Sequence, residues 1–241
     1  YHDFFDTVVS LLADESKHCL TYFALPVADY LQFFCAIADD LNKGIILCSH
    51  ISKRNHTVLP SLAAKVHQLQ GFEREIYENY GVQFEGHPWL KPVRYPFNRQ
   101  NSDSTIENYP FYSIDSEELH EVGVGPVHAG IIEPGHFRFI CNGEKVLHLE
   151  IQLGYQHRGV EQLMLTKNTP LQRCILSENI AGDTTIGHAL AHAQLMEALS
   201  GTEVKEKLNI ERCIALEMER MAVHIGDTAA LCGDVAYQLG Q

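Results

Sequence analysis

The densest group of side chains suited to proton chemistry lies in residues 155–161, with the sequence Tyr-Gln-His-Arg-Gly-Val-Glu. His157 is a titratable imidazole, Arg158 is a permanent cation and Glu161 is a carboxylate. The spacing of Arg158 and Glu161 predicts an ion pair on one helical face. A buried glutamate near a guanidinium can take up and release protons once desolvation lifts its pKa. An ordinary surface ion pair is the alternative, and these residues alone favour it.

Four histidines are the other candidates for chemistry. His188 and His192 lie one helical turn apart, a spacing that could direct two imidazoles at a metal ion. The glutamate of a His-Glu-x-x-His site is missing and no third ligand is evident, so we interpret both as structural histidines. His128 and His136 flank a Pro-Gly turn, and the residues alone indicate only turn or surface positions for them.

Other familiar catalytic and metal-binding patterns are missing from the sequence. It contains no Gly-x-Ser-x-Gly motif, no phosphate-binding glycine loop and no dinucleotide fingerprint, which argues against a simple hydrolase or dehydrogenase. The seven cysteines are odd in number, widely spaced and never arranged as Cys-x-x-Cys. We therefore expect reduced thiols, with no disulfide framework and no metal bound by this chain alone.

Length and composition predict a globular chain with one large or two ordinary domains. The 241 residues are 45% hydrophobic and 20% charged, as in average folded proteins. The formal net charge of −13 would repel nucleic acid and anionic lipid. Because we find neither a secretion signal nor an apolar run of ~20 residues, we expect a cytoplasmic protein that meets membranes only through partners. Its ends, without an initial Met and with an abrupt stop at Gln241, suggest a fragment.

Hydrophobic periodicity predicts an α+β fold in two domains. Residues 97–121 are rich in turn formers and few of them are periodically apolar, so we place a linker there, between a domain of residues 1–96 and one of residues 122–241. In the first domain we predict a helix over residues 3–12, strands over residues 19–25 and 45–51, and a short helix over residues 72–80 that Gly81 ends.

The second domain is predicted to be mainly helical, with short strands at its start. Residues 137–141 and 146–151 favour a hairpin around Asn142 and Gly143. Two apolar stripes follow at helical spacing, from Ile186 to Leu199 and from Val204 to Ile225. We expect these two long helices to pack on each other through the stripes and to form the core of this half.

Two groups of motifs resemble a known family. Residues 71–88 read GFEREIYENYGVQFEGHP and closely resemble the signature of the 30-kDa (C-type) subunit of NADH:quinone oxidoreductase. Residues 125–128, 133–138 and 155–161 are similar to the 49-kDa (D-type) subunit and to large subunits of energy-converting nickel–iron hydrogenases. The run Glu-Pro-Gly-His-Phe-Arg at 133–138 favours the hydrogenase side, as in formate hydrogenlyase. Both signatures in order on one chain, over roughly residues 45–241, indicate a fused C/D subunit.

The resemblance implies a site that has lost its metal. In active hydrogenases of this family, the stretch after the Arg-Gly-x-Glu helix carries a Cys-x-x-Cys whose thiolates bind nickel. Ala181 and Thr184 stand at those positions and supply no anionic sulfur, so a nickel–iron centre is not expected. Asp183 and Thr184 are expected to face the vacated cavity.

The quinone-reducing branch implies further contacts. There a tyrosine from the same stretch and a histidine from the Gly-Pro-x-His hairpin contact the quinone head group. Gly182 stands at the tyrosine position, whereas His128 or His136 would supply the imidazole. No cofactor is expected to be bound by this chain itself: quinone is a candidate ligand, and the expected iron–sulfur cluster belongs to a partner subunit.

The resemblance also changes the interpretation of residues 155–161. Glu161 matches the carboxylate that starts the proton path in hydrogenases, Arg158 matches the arginine beside it, and His157 belongs to the same run. We therefore expect a peripheral-arm subunit of a membrane-bound, ion-translocating oxidoreductase, on the cytoplasmic face. It would couple electron transfer from an adjacent iron–sulfur small subunit, of the B type, to proton movement. Further expected partners are other peripheral-arm subunits and ion-translocating membrane subunits.

Two alternatives stay open at the level of sequence. The chain could be a non-catalytic scaffold or assembly subunit of such a complex, an alternative that the loss of both nickel thiolates supports. It could also be the large subunit of a working membrane-bound nickel–iron hydrogenase, which a metal analysis would reveal.

Overall fold

The computed structural model describes residues 1–54, 57–94, 103, 111–127 and 134–240. These residues form two compact units, Tyr1–Gln156 and His157–Gln241. Most of the predicted linker, residues 97–121, lies outside the described residues, so the predicted domain boundary stays a prediction. The mixture of helices and small sheets confirms the α+β class. Within the described residues, no helix has the length and apolar character needed to cross a membrane.

The first unit begins with a helix and a three-stranded antiparallel sheet. Its sheet has the order β1-β2-β3, with Tyr22 opposite Cys35 and Cys35 opposite Cys48. A second helix ends at Gly81, whose φ of 71° is the left-handed cap that the sequence predicts. The elements are α1 (His2–Leu12), β1 (Lys17–Val27), β2 (Tyr30–Asp39), β3 (Gly44–Lys53), β4 (Val58–Pro60), α2 (Gln70–Tyr80) and β5 (Gln83–Glu85).

The core of this unit lies between the two helices and one face of the sheet. Strand β2 supplies four of its buried side chains, because it pairs on both sides and alternates apolar residues with period two. Short strands β4 and β5 pair in parallel beside α2. The buried apolar core residues include Val8, Tyr22, Leu31, Phe33, Cys35, Ile37, Leu62, Leu69, Ile76 and Phe84.

A second antiparallel sheet completes the first unit, with the order β6-β7-β8. Its strands are β6 (His120–Val124), β7 (His136–Asn142) and β8 (Lys145–Gln152). The β7–β8 hairpin confirms the predicted one, and Gly143 in its turn has a φ of 54°. Strand β7 carries His136 at its first position, opposite Gln152.

The second unit is helical. Its helices are α3 (Val160–Thr166), α4 (Pro170–Ser177), α5 (Thr185–Ser200) and α6 (Glu206–Asp234), and a short 3-10 helix, Gly182–Thr184, precedes α5. Both predicted long helices are thus confirmed, including the end of α5 at Gly201.

The prediction that their apolar stripes form a core is wrong. None of the residues in α5 and α6 is buried, and Leu199, Met218 and Ile225 are 74%, 65% and 67% exposed. The helices instead meet through a face of α6 that carries Arg212 and Glu219, seven residues apart. Hydrogen bonds from polar side chains therefore hold the pair, and the predicted stripe of α6 lies on another side.

Candidate functional site

A buried carboxylate lies at the centre of the signature in residues 71–88. Glu73 is fully buried in α2 and accepts three hydrogen bonds from the segment that precedes the helix. The Ser61 hydroxyl donates to Oε2 at 2.6 Å, and the N–H groups of Leu62 and Ala63 donate to the two carboxylate oxygens at 2.7 and 3.4 Å. Burial nevertheless raises the pKa of Glu73 to about 7, against the effect of these donors.

The His87 imidazole is an ionisable neighbour of this carboxylate. Its Nε2 lies 3.9 Å from Glu73 Oε2. Because Nδ1 accepts a hydrogen bond from the Trp89 N–H at 2.9 Å, the ring proton belongs on Nε2, 3.2 Å from the Gln70 carbonyl oxygen. Burial lowers the pKa of His87, so the ring is neutral and brings no positive charge to Glu73.

A second buried carboxylate, Glu78, holds the segment that follows the signature. The N–H groups of Val93 and Arg94 both donate to its Oε2 at 2.7 Å, and the Arg94 guanidinium also reaches its Oε1 at 3.3 Å. Arg94 forms a further ion pair with Glu75. These contacts fix residues 93–94 against one side of α2.

The Arg74 guanidinium, at another position on α2, also binds the segment that follows the signature. It donates to the carbonyl oxygens of Lys91 and Pro92 and lies 4.5 Å from the centre of the Trp89 ring. Three charged residues of the signature, Glu73, Arg74 and Glu78, therefore make structural contacts with the segments before and after α2.

The residues alone gave us no role for Glu73 or Glu78, although the sequence contains a signal for the former. Glu73 precedes Ile76, Tyr77 and Tyr80 by three, four and seven residues, so it lies on the apolar face of the helix. A carboxylate on such a face must find buried donors, which Ser61 and its neighbours provide. The spacing of residues in the sequence does not show that these donors lie in the segment before the helix.

In the second unit, residues 157–161 do not form the predicted ion pair. Helix α3 begins at Val160, so Arg158 lies ahead of it and does not share a helical face with Glu161. The Arg158 guanidinium instead donates to the Asn179 carbonyl oxygen at 2.6 Å. Glu161 lies in the first turn of α3, exposed, without a hydrogen bond or ion pair to the described residues. His157 is also exposed and precedes the helix.

The stretch predicted to line a vacated cavity leads into α5. Ala181 precedes the short 3-10 helix, which ends in Asp183 and Thr184, both exposed. His188, one turn into α5, turns back to it: its Nδ1 lies 2.9 Å from both the hydroxyl and the carbonyl oxygen of Thr184. Thr184 and His188 are thus brought together, whereas Glu161 is not hydrogen-bonded to this stretch.

Glu219 of α6 holds this stretch in place. One of its carboxylate oxygens accepts from the Ile186 N–H at 2.6 Å and the other from the Gly187 N–H at 3.0 Å. These are N–H groups of the first turn of α5, which have no partner within the helix. Further along the pair, the Arg212 guanidinium binds the Glu197 carboxylate through two nitrogens. Neither contact follows from the spacing of these residues in the sequence.

Of the two predicted quinone-contacting histidines, the structure describes one. His136 is partly buried at the start of β7, and His128 lies outside the described residues. His188 and His192 both lie in α5, as their spacing predicts. No group of three or more metal-binding side chains in the described ranges is arranged to hold a metal ion.

The donor groups at the expected nickel positions do not fit a nickel–iron centre. Ala181 offers a methyl group, and the Thr184 hydroxyl is hydrogen-bonded to His188. Neither group is a soft anionic ligand of the kind that nickel thiolate centres need. Cys174, the cysteine that precedes this stretch in the sequence, lies in α4.

Comparison with known proteins identifies the first part of the chain. Residues 2–110 match the family of the 30 kDa subunit of respiratory-chain NADH dehydrogenase. The matched range includes Glu73 and Glu78 and all of residues 71–88, which carried the resemblance to the 30-kDa subunit.

Similar proteins extend the relationship along the chain. Hydrogenase-4 component G of Escherichia coli is 26% identical over 88% of this chain and 41% of its own length. Formate hydrogenlyase subunit 5 of the same organism is 27% identical over 77% of this chain and 36% of its own. The C/D subunit of NADH-quinone oxidoreductase from Phocaeicola vulgatus is 26% identical over 80% of this chain and 43% of its own.

The chain spans about two fifths of the length of these relatives. Their names confirm the expected relationship to both hydrogenases and quinone-reducing NADH dehydrogenases. Residues 2–110 therefore match the 30 kDa subunit family of respiratory-chain NADH dehydrogenase, and the chain is similar over most of its length to subunits of hydrogenases and of NADH-quinone oxidoreductase.

Proposed function

We propose that this chain acts as a peripheral-arm subunit of a membrane-bound, ion-translocating oxidoreductase complex. One observation carries the proposal: similarity to a fused C/D subunit and to hydrogenase components runs through the 30 kDa-type domain into the helical unit of the same chain. In such a complex, electrons arrive from an iron–sulfur cluster of a neighbouring subunit. The chain itself meets the membrane through partner subunits, on the cytoplasmic face.

We assign the proton-transfer role to Glu161. Its carboxylate is exposed in the first turn of α3 and makes no hydrogen bond or ion pair within the described residues, so it is available to a partner or to a proton carrier. Arg158, three residues earlier in the sequence, is held by its hydrogen bond to the Asn179 carbonyl oxygen. His157 adds a second titratable group.

Replacing Glu161 with Gln tests this role in the intact complex. The variant keeps the size of the side chain and removes its proton, so we expect ion transport coupled to electron flow to fall at least tenfold. Glu203→Gln, at another exposed carboxylate of the same unit, is the matched control and should leave transport unchanged. Unchanged transport in Glu161→Gln would reject the role.

The proposed redox site holds no nickel. Electrons would pass to a bound acceptor, with quinone as the candidate, and we assign its contacts in the helical unit to Asp183 and Thr184. The misfit of Ala181 and Thr184 to nickel supports this choice, since neither offers a thiolate. A stoichiometric nickel content of the purified complex would overturn it and would favour a working hydrogenase.

A scaffold role is the second candidate, and a specific observation favours it. Three charged residues of the signature, Glu73, Arg74 and Glu78, bind neighbouring segments of their own domain. Such residues would keep a docking module in shape without taking part in chemistry. Quinone turnover by the purified complex that Asp183→Ala abolishes would exclude a scaffold role, and turnover that survives the change would favour it.

A further inference from the structure

Two cysteine side chains meet on the inner face of the first sheet. Cys19 of β1 and Cys35 of β2 place their Sγ atoms 4.0 Å apart, the distance of an S–H···S contact. Cys35 is buried, whereas Cys19 is partly exposed and can be reached from solvent. A third thiol, Cys48 of β3, lies directly opposite Cys35 on its other side.

A β-bulge brings Cys19 to this position. The pairing of β1 with β2 shifts between Cys19 and Thr21, so Leu20 is the extra residue of the bulge. Cys19 pairs with Ile37 and Tyr22 with Cys35, which puts Cys19 and Tyr22 on the same face although they are three residues apart. With unbroken alternation Cys19 would lie on the opposite face from Tyr22, away from Cys35.

A side chain from outside the sheet holds the bulge in place. The Cys19 N–H donates to the Gln68 side-chain carbonyl at 2.9 Å, in the 3-10 turn that precedes α2. The backbone of Cys19 is therefore anchored on two sides, by Ile37 across the sheet and by Gln68. This leaves rotation of the two cysteine side chains as the motion that can bring the sulfurs together.

We propose that Cys19 and Cys35 are a thiol pair that a peroxide converts into an intramolecular disulfide. The Cys19 thiolate attacks one peroxide oxygen, the O–O bond breaks, and water leaves after protonation, so Cys19 becomes a sulfenic acid. The Cys35 sulfur, losing its proton, then attacks the Cys19 sulfur, and the S–O bond breaks with release of a second water. Two thiols are oxidised by two electrons and one hydrogen peroxide is reduced to two waters.

The Cys19 thiol is the one suited to the first step. Its contact with Cys35 lowers its pKa, whereas the same contact and burial raise the pKa of Cys35. To form the bond, the sulfurs must approach from 4.0 Å to about 2.0 Å. Cys48 is the competing partner for Cys35, since the two lie directly opposite on β2 and β3.

The sequence allows a test that separates these pairings. Trypsin cuts after Lys17, Lys43 and Lys53, so Cys19 and Cys35 fall in one peptide and Cys48 in the next. The reduced full-length chain is treated with hydrogen peroxide, its remaining thiols are alkylated, and the digest is analysed without reductant. We expect the peptide of residues 18–43 to lose two hydrogens, to carry no alkyl group, and to regain both thiols on reduction.

Matched variants complete the design. Cys48→Ser should leave the loss of two hydrogens unchanged, and Cys19→Ser should leave Cys35 open to alkylation. A cross-link between peptides 18–43 and 44–53 would overturn the proposal in favour of Cys35 with Cys48. Oxidation confined to the exposed Cys213, or a sulfinic acid at Cys19 with Cys35 still reduced, would overturn it as well. The wild-type digest alone decides among these outcomes, so the proposal stays falsifiable if a variant fails to fold.

Discussion

Glu73 and Glu78 are charged side chains that the fold buries completely, and each is surrounded by a different set of donors. Glu78 has two backbone N–H groups and the Arg94 guanidinium, so positive charge compensates it. Glu73 is surrounded by a hydroxyl, two N–H groups and the neutral His87 ring, so no positive charge compensates its carboxylate. The two carboxylates therefore predict opposite effects when each is replaced by an amide.

For Glu73→Gln we predict a change in the pH dependence of stability. The folded protein binds the Glu73 proton more tightly than the unfolded chain, because burial raises its pKa from 4.5 to about 7. This contribution to stability is complete below about pH 4.5 and is lost as the pH rises through 7, a total of about 3 kcal/mol. The free energy of unfolding of the variant should not fall in this way. The variant should therefore become more stable than wild type as the pH rises.

Urea unfolding at a series of pH values from 4.5 to 8, followed by the fluorescence of Trp89, measures this difference in free energy of unfolding. Trp89 is the single tryptophan of the chain and lies beside His87, so it reports on this domain. Glu85→Gln is the control, because Glu85 is an exposed carboxylate of the same domain. Equal pH slopes for wild type and Glu73→Gln would contradict the prediction.

For Glu78→Gln we predict a loss of about 2 kcal/mol in the free energy of unfolding at neutral pH, since hydrogen bonds to a buried charge weaken and Arg94 loses a partner. Amide hydrogen exchange at Val93 and Arg94 should become faster at the same time. Glu75→Gln removes an ion pair with Arg94 at a partly exposed position and should cost less than about 1 kcal/mol. Similar losses in the two variants would contradict the assignment.

At the scale of elements, local patterns predicted much of the fold. Helices α1 and α2, strands β1 and β3 and the β7–β8 hairpin follow from periodicity and turn residues, and Gly81 and Gly201 end their helices as expected. Our strand predictions omitted β2, although it is the middle strand of its sheet. Its outward positions include Phe34, Ala36 and Ala38, so residues 33–38 are apolar without a break and the alternation is weak.

The pairing of α5 with α6 could not be predicted from the same patterns. Apolar periodicity selected one stripe of α6, whereas the contact uses Arg212 and Glu219, whose partners lie 15 and more residues away. Likewise, Arg158 lies ahead of α3 because Gly159 has a φ of 64°, so the helix begins only at Val160. An ion pair between Arg158 and Glu161 on one helical face would have required an earlier start. Long-range polar contacts and left-handed backbone positions thus account for the local failures.

For Glu219→Gln we predict fraying of the first turn of α5. An amide can accept only one of the two hydrogen bonds and places an NH2 group against the other N–H, so amide exchange at Ile186 and Gly187 should be about tenfold faster. Glu217→Gln, which removes an exposed pair with Arg220 on the same helix, should leave both amides unchanged. Unchanged exchange in Glu219→Gln would show that the carboxylate does not hold this turn.

At the scale of the whole molecule, the two units differ in how they are stabilised. The unit Tyr1–Gln156 contains a core of buried apolar side chains, whereas Ser177 is the one buried residue among residues 157–240. Burial of apolar side chains is the main favourable contribution to folding. The helical unit of this chain therefore has little of this stabilisation. A partner that covers its apolar residues would therefore stabilise it strongly.

We predict that the isolated chain unfolds in two steps. With increasing urea, the helical signal of the second unit in circular dichroism at 222 nm should fall before the fluorescence of Trp89 changes. The expected separation of the midpoints is on the order of 1 M urea. Coincident transitions would contradict the difference in core burial between the units.

The subunit composition of the complex tests the central proposal most directly. The measurement is quantitative mass spectrometry of the native protein, tagged and purified from detergent-solubilised membranes. We predict that an iron–sulfur protein and integral membrane proteins of the ion-translocating type accompany this chain in fixed stoichiometry. Recovery of the chain only as a free protein, absent from the membrane fraction and without an iron–sulfur partner, would contradict the proposal.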